Sequence, residues 1–146
     1  MFPFGQPDKT KDCGYRCLYY ALRRNEVQDV SLRNYDGWLN QFRFFMPVKS
    51  GITFTDIHTI LDYYKIDYRF THLTDDGLYI IYSGIWLHQE EKKHGHYFIY
   101  ENGTVLCSTH NEPYKISLAD ALKRMESKAI DHSYRCMKIL GKLPEE

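Results

Sequence analysis

The sequence has no net charge, because 19 lysines and arginines balance 19 aspartates and glutamates among its 146 residues. It therefore lacks the excess positive charge that would draw a protein to nucleic acid or to an anionic membrane. No apolar run approaches the roughly 20 residues of a membrane span. The first residues show no basic segment followed by an apolar core, so no secretory signal is visible. We therefore expect a cytoplasmic protein with no nucleic-acid partner and no membrane span.

Cysteine is also scarce: the chain has four. In a reducing compartment such residues are thiols or metal ligands rather than bridges. A chain of this length buries roughly two-thirds of its unfolded surface, so it needs no disulfides to be stable. Aromatic residues make up 16% of the chain, which argues against disorder. No repeat, low-complexity tract or linker divides the sequence, and we predict a single domain over residues 1–146.

The hydrophobic pattern changes from helical spacing in the first half to strand-like alternation in the second. Asn102-Gly103 lies between two β-rich runs and indicates a hairpin, because both central turn positions need positive φ. Helices followed by an antiparallel sheet define an α+β fold class. The predicted helices cover residues 13–24, 31–42, 53–64 and 117–127, with Asp12, Ser31, Thr53 or Thr55, and Ser117 as caps. The predicted strands cover residues 68–72, 78–87, 96–100, 104–108 and 134–140.

Cys13 lies where the first predicted helix begins. The positive end of the helix dipole favours thiolate over thiol and lowers the pKa of a cysteine there, and the thiolate is the nucleophile. Gly14 lets a substrate backbone approach closely. A nucleophile also needs a base, and His96 opens a predicted strand, with His94 as the competing candidate. Upstream, Gln6 could donate its amide N–H to a developing oxyanion.

The order of these motifs resembles the bacteriocin-leader peptidases, papain-like cysteine peptidases that cut after a double glycine. The resemblance is carried along nearly the whole chain by Gln6, Asp12-Cys13-Gly14, Gly51, the apolar segment 80–87, His96-Tyr97-Phe98-Ile99 and Ser117-Leu118. It implies a papain-like fold with N-terminal helices packed on a C-terminal antiparallel sheet. It also implies cofactor-free hydrolysis of a peptide or isopeptide bond in a peptide or protein substrate. Cys13 would attack, His96 would transfer the proton, and Gln6 would help to stabilise the oxyanion.

The residue that orients the histidine differs from the pattern of that family. The family has an aspartate after the strand that follows its histidine, and this sequence has none there. Asn111 could take the role, as asparagine does in other papain-like enzymes, and Ser108 is the weaker candidate. The spacing from Gln6 to Cys13 is also one residue longer than is usual in the family.

A second, shorter likeness covers residues 13–18. This segment is similar to the nucleophile helix of arterivirus papain-like proteases, which cleave polyprotein and remove ubiquitin. Both likenesses point to Cys13 as the nucleophile.

Three alternatives stay open. The first is a catalytically inactive papain-like domain that binds a peptide or protein partner, which the missing aspartate favours. The second is amidase, transglutaminase-like or acyltransferase chemistry with the same cysteine and histidine. The third is a zinc site built from Cys13, Cys17, Cys107 and His110, although no CxxC pair is present.

Overall fold

The computed structural model describes residues 13–42, 52–74, 76–83, 96–106, 114–128 and 134–144. In these residues, helices come first and an antiparallel sheet follows, which confirms the predicted α+β class. The sheet has the strand order β1-β6-β2-β3-β4-β5. In chain order, the elements are α1 (Cys13–Arg24), α2 (Gln28–Ser31), α3 (Tyr35–Asn40), α4 (Phe54–Tyr63), β1 (Ile66–Phe70), β2 (Leu78–Ser83), β3 (His96–Glu101), β4 (Thr104–Leu106), β5 (Tyr114–Lys115), α5 (Leu118–Lys128) and β6 (Tyr134–Lys142).

Helix α1 has the bounds that its hydrophobic spacing predicts. It buries one face, which includes Leu18 and Leu22, against the sheet. Near the C-terminal end of α1, Arg24 donates to the Glu101 carboxylate in β3 over 2.9 Å, and the Tyr20 hydroxyl donates to the same carboxylate. These contacts hold the C-terminal half of α1 against the end of β3.

The single helix predicted over residues 31–42 is wrong. The chain forms α2 and α3 instead, and Ser31 is the last residue of α2 rather than a cap. Asn34 caps α3, because its side-chain oxygen accepts a hydrogen bond from the Gly37 N–H over 2.7 Å. That bond satisfies a first-turn N–H that has no partner within the helix. The break therefore follows from a local side-chain-to-backbone bond.

The caps predicted for α4 and α5 are confirmed, with Thr53 rather than Thr55 at α4, while the predicted cap of α1, Asp12, lies outside the described residues. Thr53 caps α4 and forms a capping box with Asp56, in which each side chain bonds the other residue's backbone N–H. Ser117 precedes α5 and accepts from the Asp120 N–H over 3.1 Å.

The strands follow the predicted order along the chain, with small shifts. Asn102 and Gly103 form the β3–β4 turn with φ of 49° and 84°, as the hairpin signal predicts. β1 begins two residues earlier than expected, and the short β5 was not predicted because two residues cannot show alternation. The part of the β2 prediction beyond residue 83 lies outside the described residues.

The sheet separates two hydrophobic clusters. Successive side chains of β3 alternate between them: Tyr97 and Ile99 join the cluster under the N-terminal helices, and Phe98 and Tyr100 join the cluster near α5. Cys17 is buried in the first cluster and Cys136 in the second, as predicted, while Cys107 lies outside the described residues. Within the described ranges, none of the helices combines the length and the apolar character needed to cross a membrane.

Candidate functional site

Cys13 is the first residue of α1 and is half-buried at the margin of the first cluster. A residue at this position has its backbone N–H among the first-turn groups that find no partner within the helix. The positive end of the helix dipole also lies there. The structure thus places the thiol at the helix terminus that the sequence predicts for it.

Gly14 brings the start of α1 into contact with two other segments. A Cβ atom at this position would overlap Cγ2 of Ile52, which precedes α4, and would lie 3.2 Å from Cδ2 of Tyr97 in β3. Because glycine has no Cβ, the first turn of α1 can pack directly on both residues. Tyr97 follows His96 in the chain, so the segments that carry Cys13 and His96 adjoin each other at one end of the sheet.

The backbone of His96 lies at the start of β3. It is the first residue of β3 and is paired with Ser83, the last residue of β2, while Tyr97 is paired with Tyr82. Four other positions named from the sequence lie outside the described residues: Gln6, His94, Ser108 and Asn111.

The proposed zinc ligands Cys107 and His110 also lie outside the described residues. Where the structure describes the chain, no three histidines, cysteines or acidic residues cluster as a metal ion would require.

Tyr97 is the residue on which the groups of the site converge. Burial raises the pKa of its phenol well above the ordinary value, and the nearby Tyr82, Cys13, Cys17 and Asp56 raise it further. The phenol therefore stays neutral in any ordinary buffer. Tyr97 was quoted in the sequence motif but was not predicted to be part of a site.

An aromatic surface extends from Tyr97 to the edge strand β1. Phe54 lies at its centre, with ring centroids 5.3 Å from Tyr97 and 5.2 Å from Phe70. Tyr82 lies 4.9 Å from Tyr97, and the Phe70 side chain is 45% exposed. The members of this aromatic surface are Phe54, His58, Tyr68, Phe70, Tyr82 and Tyr97.

His58 stacks on Tyr68 within this surface, with centroids 4.6 Å apart. Its Nε2 is buried and has no hydrogen-bond partner in the described part of the chain. Sequence reasoning missed the surface, although Tyr68 and Phe70 alternate in β1 as residues that share one face of a strand do.

No protein-family model matches this chain, and no curated protein is significantly similar to it. The papain-like fold and the likeness to bacteriocin-leader peptidases therefore stay predictions that depend on the order of the motifs.

Proposed function

We propose that this protein is a papain-like cysteine peptidase that hydrolyses a peptide or isopeptide bond, with Cys13 as the nucleophile and His96 as the general base. The observation that carries the proposal is the packing of Gly14 on Tyr97, because it sets the first turn of α1 beside the residue that follows His96. Nucleophile and base commonly come from segments that are distant in sequence and adjacent in space.

Each residue of the proposed mechanism has a distinct task. The Cys13 thiolate, favoured by the helix dipole, attacks the substrate carbonyl carbon and forms a tetrahedral intermediate. The backbone N–H of Cys13 and the Gln6 amide donate to the oxyanion. His96 takes the thiol proton and gives it to the leaving amine, which departs as the thioester forms. His96 then takes a proton from a water molecule that attacks the thioester carbonyl carbon, the C–S bond breaks, and the acid product leaves as the Cys13 thiolate is restored. Asn111, or alternatively Ser108, orients the imidazole.

The aromatic surface supports a polypeptide substrate. It begins at Tyr97, which packs against Gly14 next to Cys13, and includes Phe54 and Tyr82, which are both half-buried. Apolar side chains of a substrate gain free energy by leaving water against such rings, in proportion to the area that they bury. We infer that the half-buried rings of Phe54 and Tyr82, which pack against Tyr97, bind apolar side chains of the substrate.

The test compares the alkylation rates of individual cysteines by iodoacetamide below pH 7, read by peptide mass mapping. An unperturbed thiol is mostly protonated there, so an activated Cys13 should react about tenfold faster or more. A cysteine in an unstructured peptide provides the unperturbed reference, and Cys136 is the unreactive internal control, because burial raises the pKa of its thiol to about 12. His96→Ala should remove the fast reaction, and Cys13→Ala should abolish turnover of peptide substrates while preserving the circular dichroism spectrum.

Two outcomes would contradict the proposal. One is a Cys13 that is alkylated no faster than a cysteine in an unstructured peptide. The other is fast alkylation that persists unchanged in His96→Ala.

The second candidate function is a catalytically inactive domain that binds a peptide or protein. The aromatic surface is the observation that favours it, because half-exposed rings can hold a partner without any chemistry at Cys13. A panel of double-glycine peptides and ubiquitin conjugates separates the two functions. Cleavage that is lost in Cys13→Ala supports the peptidase. The binding domain is supported if the parent protein and Cys13→Ala bind the peptides equally and a thiol-directed probe does not label Cys13 of the parent.

A further inference from the structure

The outermost strand β1 presents backbone hydrogen-bonding groups on its open side. Toward β6, the Lys65 carbonyl accepts from the Leu143 N–H over 2.8 Å, and the Thr71 N–H donates to the Cys136 carbonyl over 3.2 Å. Backbone groups along an antiparallel strand point alternately to its two sides. The groups of the three even-numbered residues therefore point away from β6: Ile66, Tyr68 and Phe70.

The hydrogen bond of the Tyr68 N–H is consistent with its pointing away from β6. It donates to the carboxylate of its own neighbour, Asp67, over 3.0 Å. Among the strands that the structure describes, β6 alone pairs with β1. The open side of β1 can therefore accept another strand.

The sequence of β1 is complementary to itself. If a second copy pairs antiparallel about a two-fold axis at Tyr68, the two Tyr68 residues face each other, and Ile66 faces Phe70 of the second copy. These residues form the hydrogen-bonded pairs, because their backbone groups point outward. Asp67 of each copy then faces Arg69 of the other copy, which gives two equivalent pairs. Both are non-hydrogen-bonded pairs, in which side chains approach most closely.

The charges along β1 favour a second copy of this strand as the partner. Arg69 is exposed, and the residue paired with it in β6 is Lys138, which carries the same charge. Like charges directly opposite each other in a sheet are unfavourable. The described part of the chain supplies no carboxylate ion pair for Arg69. Pairing would give the Tyr68 N–H a carbonyl acceptor and release the Asp67 carboxylate to Arg69 of the second copy.

We propose that β1 is a homodimer interface through which two copies join their sheets edge to edge, with reciprocal Asp67–Arg69 ion pairs flanking the Tyr68 axis. The interface is isologous, so it closes as a dimer and does not propagate. The exposed Phe70 ring, which adjoins Phe54 and His58 in the aromatic surface, becomes covered. The dimer does not depend on the proposed peptidase activity.

The test is a charge-swap series in sedimentation velocity, run from micromolar to near-millimolar protein at low salt. Asp67→Arg and Arg69→Asp each place like charges opposite each other, and each should weaken the dimer by about tenfold or more. The double variant Asp67→Arg/Arg69→Asp restores opposite charges in the same register and should recover the dimer. Asp36→Arg, which reverses an exposed charge in α3, is the matched control and should leave association unchanged.

The double variant also lacks the hydrogen bond between the Tyr68 N–H and the Asp67 carboxylate. A recovered dimer in this variant therefore cannot result from restoring that local bond. A protein that stays monomeric throughout the concentration range would overturn the proposal. A dimer that is insensitive to both single reversals would overturn it as well, as would a double variant no better than the single ones. Circular dichroism of each variant confirms that folding is retained.

Discussion

At the scale of single residues, Gly14 matters most, because it sets how closely Cys13 approaches β3. Its missing Cβ provides the space in which Ile52 and Tyr97 lie. We expect Gly14→Ala to lower the free energy of unfolding by about 1–3 kcal/mol, since an added methyl group in a packed interior forces its neighbours to shift. The same shift should slow the alkylation of Cys13. Urea unfolding and the alkylation assay measure the two effects.

A double-mutant cycle with Ile52→Ala assigns that loss to the contact itself. The alanine removes the Cγ2 atom that a Cβ on Gly14 would overlap. The two changes together should therefore cost less than the sum of the single changes, with a coupling of about 1 kcal/mol. Strict additivity of the two losses would contradict the explanation.

At the scale of elements, the helices between α1 and α4 form where side chains bind backbone and where aromatic residues pack. Trp38 is fully buried in α3, and its ring centroid lies 6.5 Å from that of Tyr15 in α1. Its indole N–H donates to the Tyr64 hydroxyl over 3.2 Å, and that hydroxyl donates to Asp29 in α2 over 3.0 Å. These two hydrogen bonds join α2, α3 and the end of α4 through the Tyr64 hydroxyl.

The two candidate caps of this region make a matched pair of variants. Asn34→Ala removes the acceptor of the Gly37 N–H and should lower the free energy of unfolding by about 1 kcal/mol. Ser31→Ala changes the exposed last residue of α2 and should stay within about 0.5 kcal/mol of the parent. Urea unfolding of both variants measures the two free energies of unfolding. Equal decreases in the two variants would mean that Ser31 is also a cap.

At the scale of the whole molecule, β6 holds together segments that are far apart in the sequence. It lies between β1 and β2, so a strand near the end of the chain occupies the interior of the sheet. Cys136 in β6 and Tyr15 in α1 are buried, and Tyr64 at the end of α4 is half-buried. Burial is the main reason why the pKa of each of these groups is raised to about 12.

The raised pKa values predict that the molecule loses stability in alkaline solution. The ordinary pKa is 9.0 for the thiol and 10.0 for the phenols. Above pH 9 the unfolded chain releases the Cys136 proton and the folded chain keeps it. The stabilisation is therefore complete below pH 9 and is lost as the pH rises toward 12. For Cys136, the free energy of unfolding should fall by about 1 kcal/mol between pH 9 and pH 10.

Cys136→Ala isolates this contribution, because it removes the thiol and leaves Tyr15 and Tyr64 in place. Urea unfolding at pH 8, 9 and 10 should show a smaller alkaline loss in the variant than in the parent. An identical pH dependence in the two proteins would mean that the buried thiol does not contribute.

The sequence alone was sufficient wherever a short segment carries its own stabilising interactions. The capping of α4 by Thr53, the capping of α5 by Ser117 and the Asn102–Gly103 turn all depend on contacts within a few residues. The break before α3 was not predictable, because Ser31 and Asn34 are both competent caps and the burial of Trp38 lies outside any local pattern.

The tertiary structure alone decided the strand order, the position of β6 and the packing of Gly14 on Tyr97. These features depend on pairings between distant segments, whose free energy comes from burial and backbone hydrogen bonds that no local stretch of sequence contains. The sequence by itself predicted the candidate residues for chemistry and placed Cys13 at a helix start and His96 at a strand start, because these depend on local pattern. Only the folded sheet brought the two segments side by side and placed the self-complementary β1 at an edge, where β6 is its one partner among the described strands.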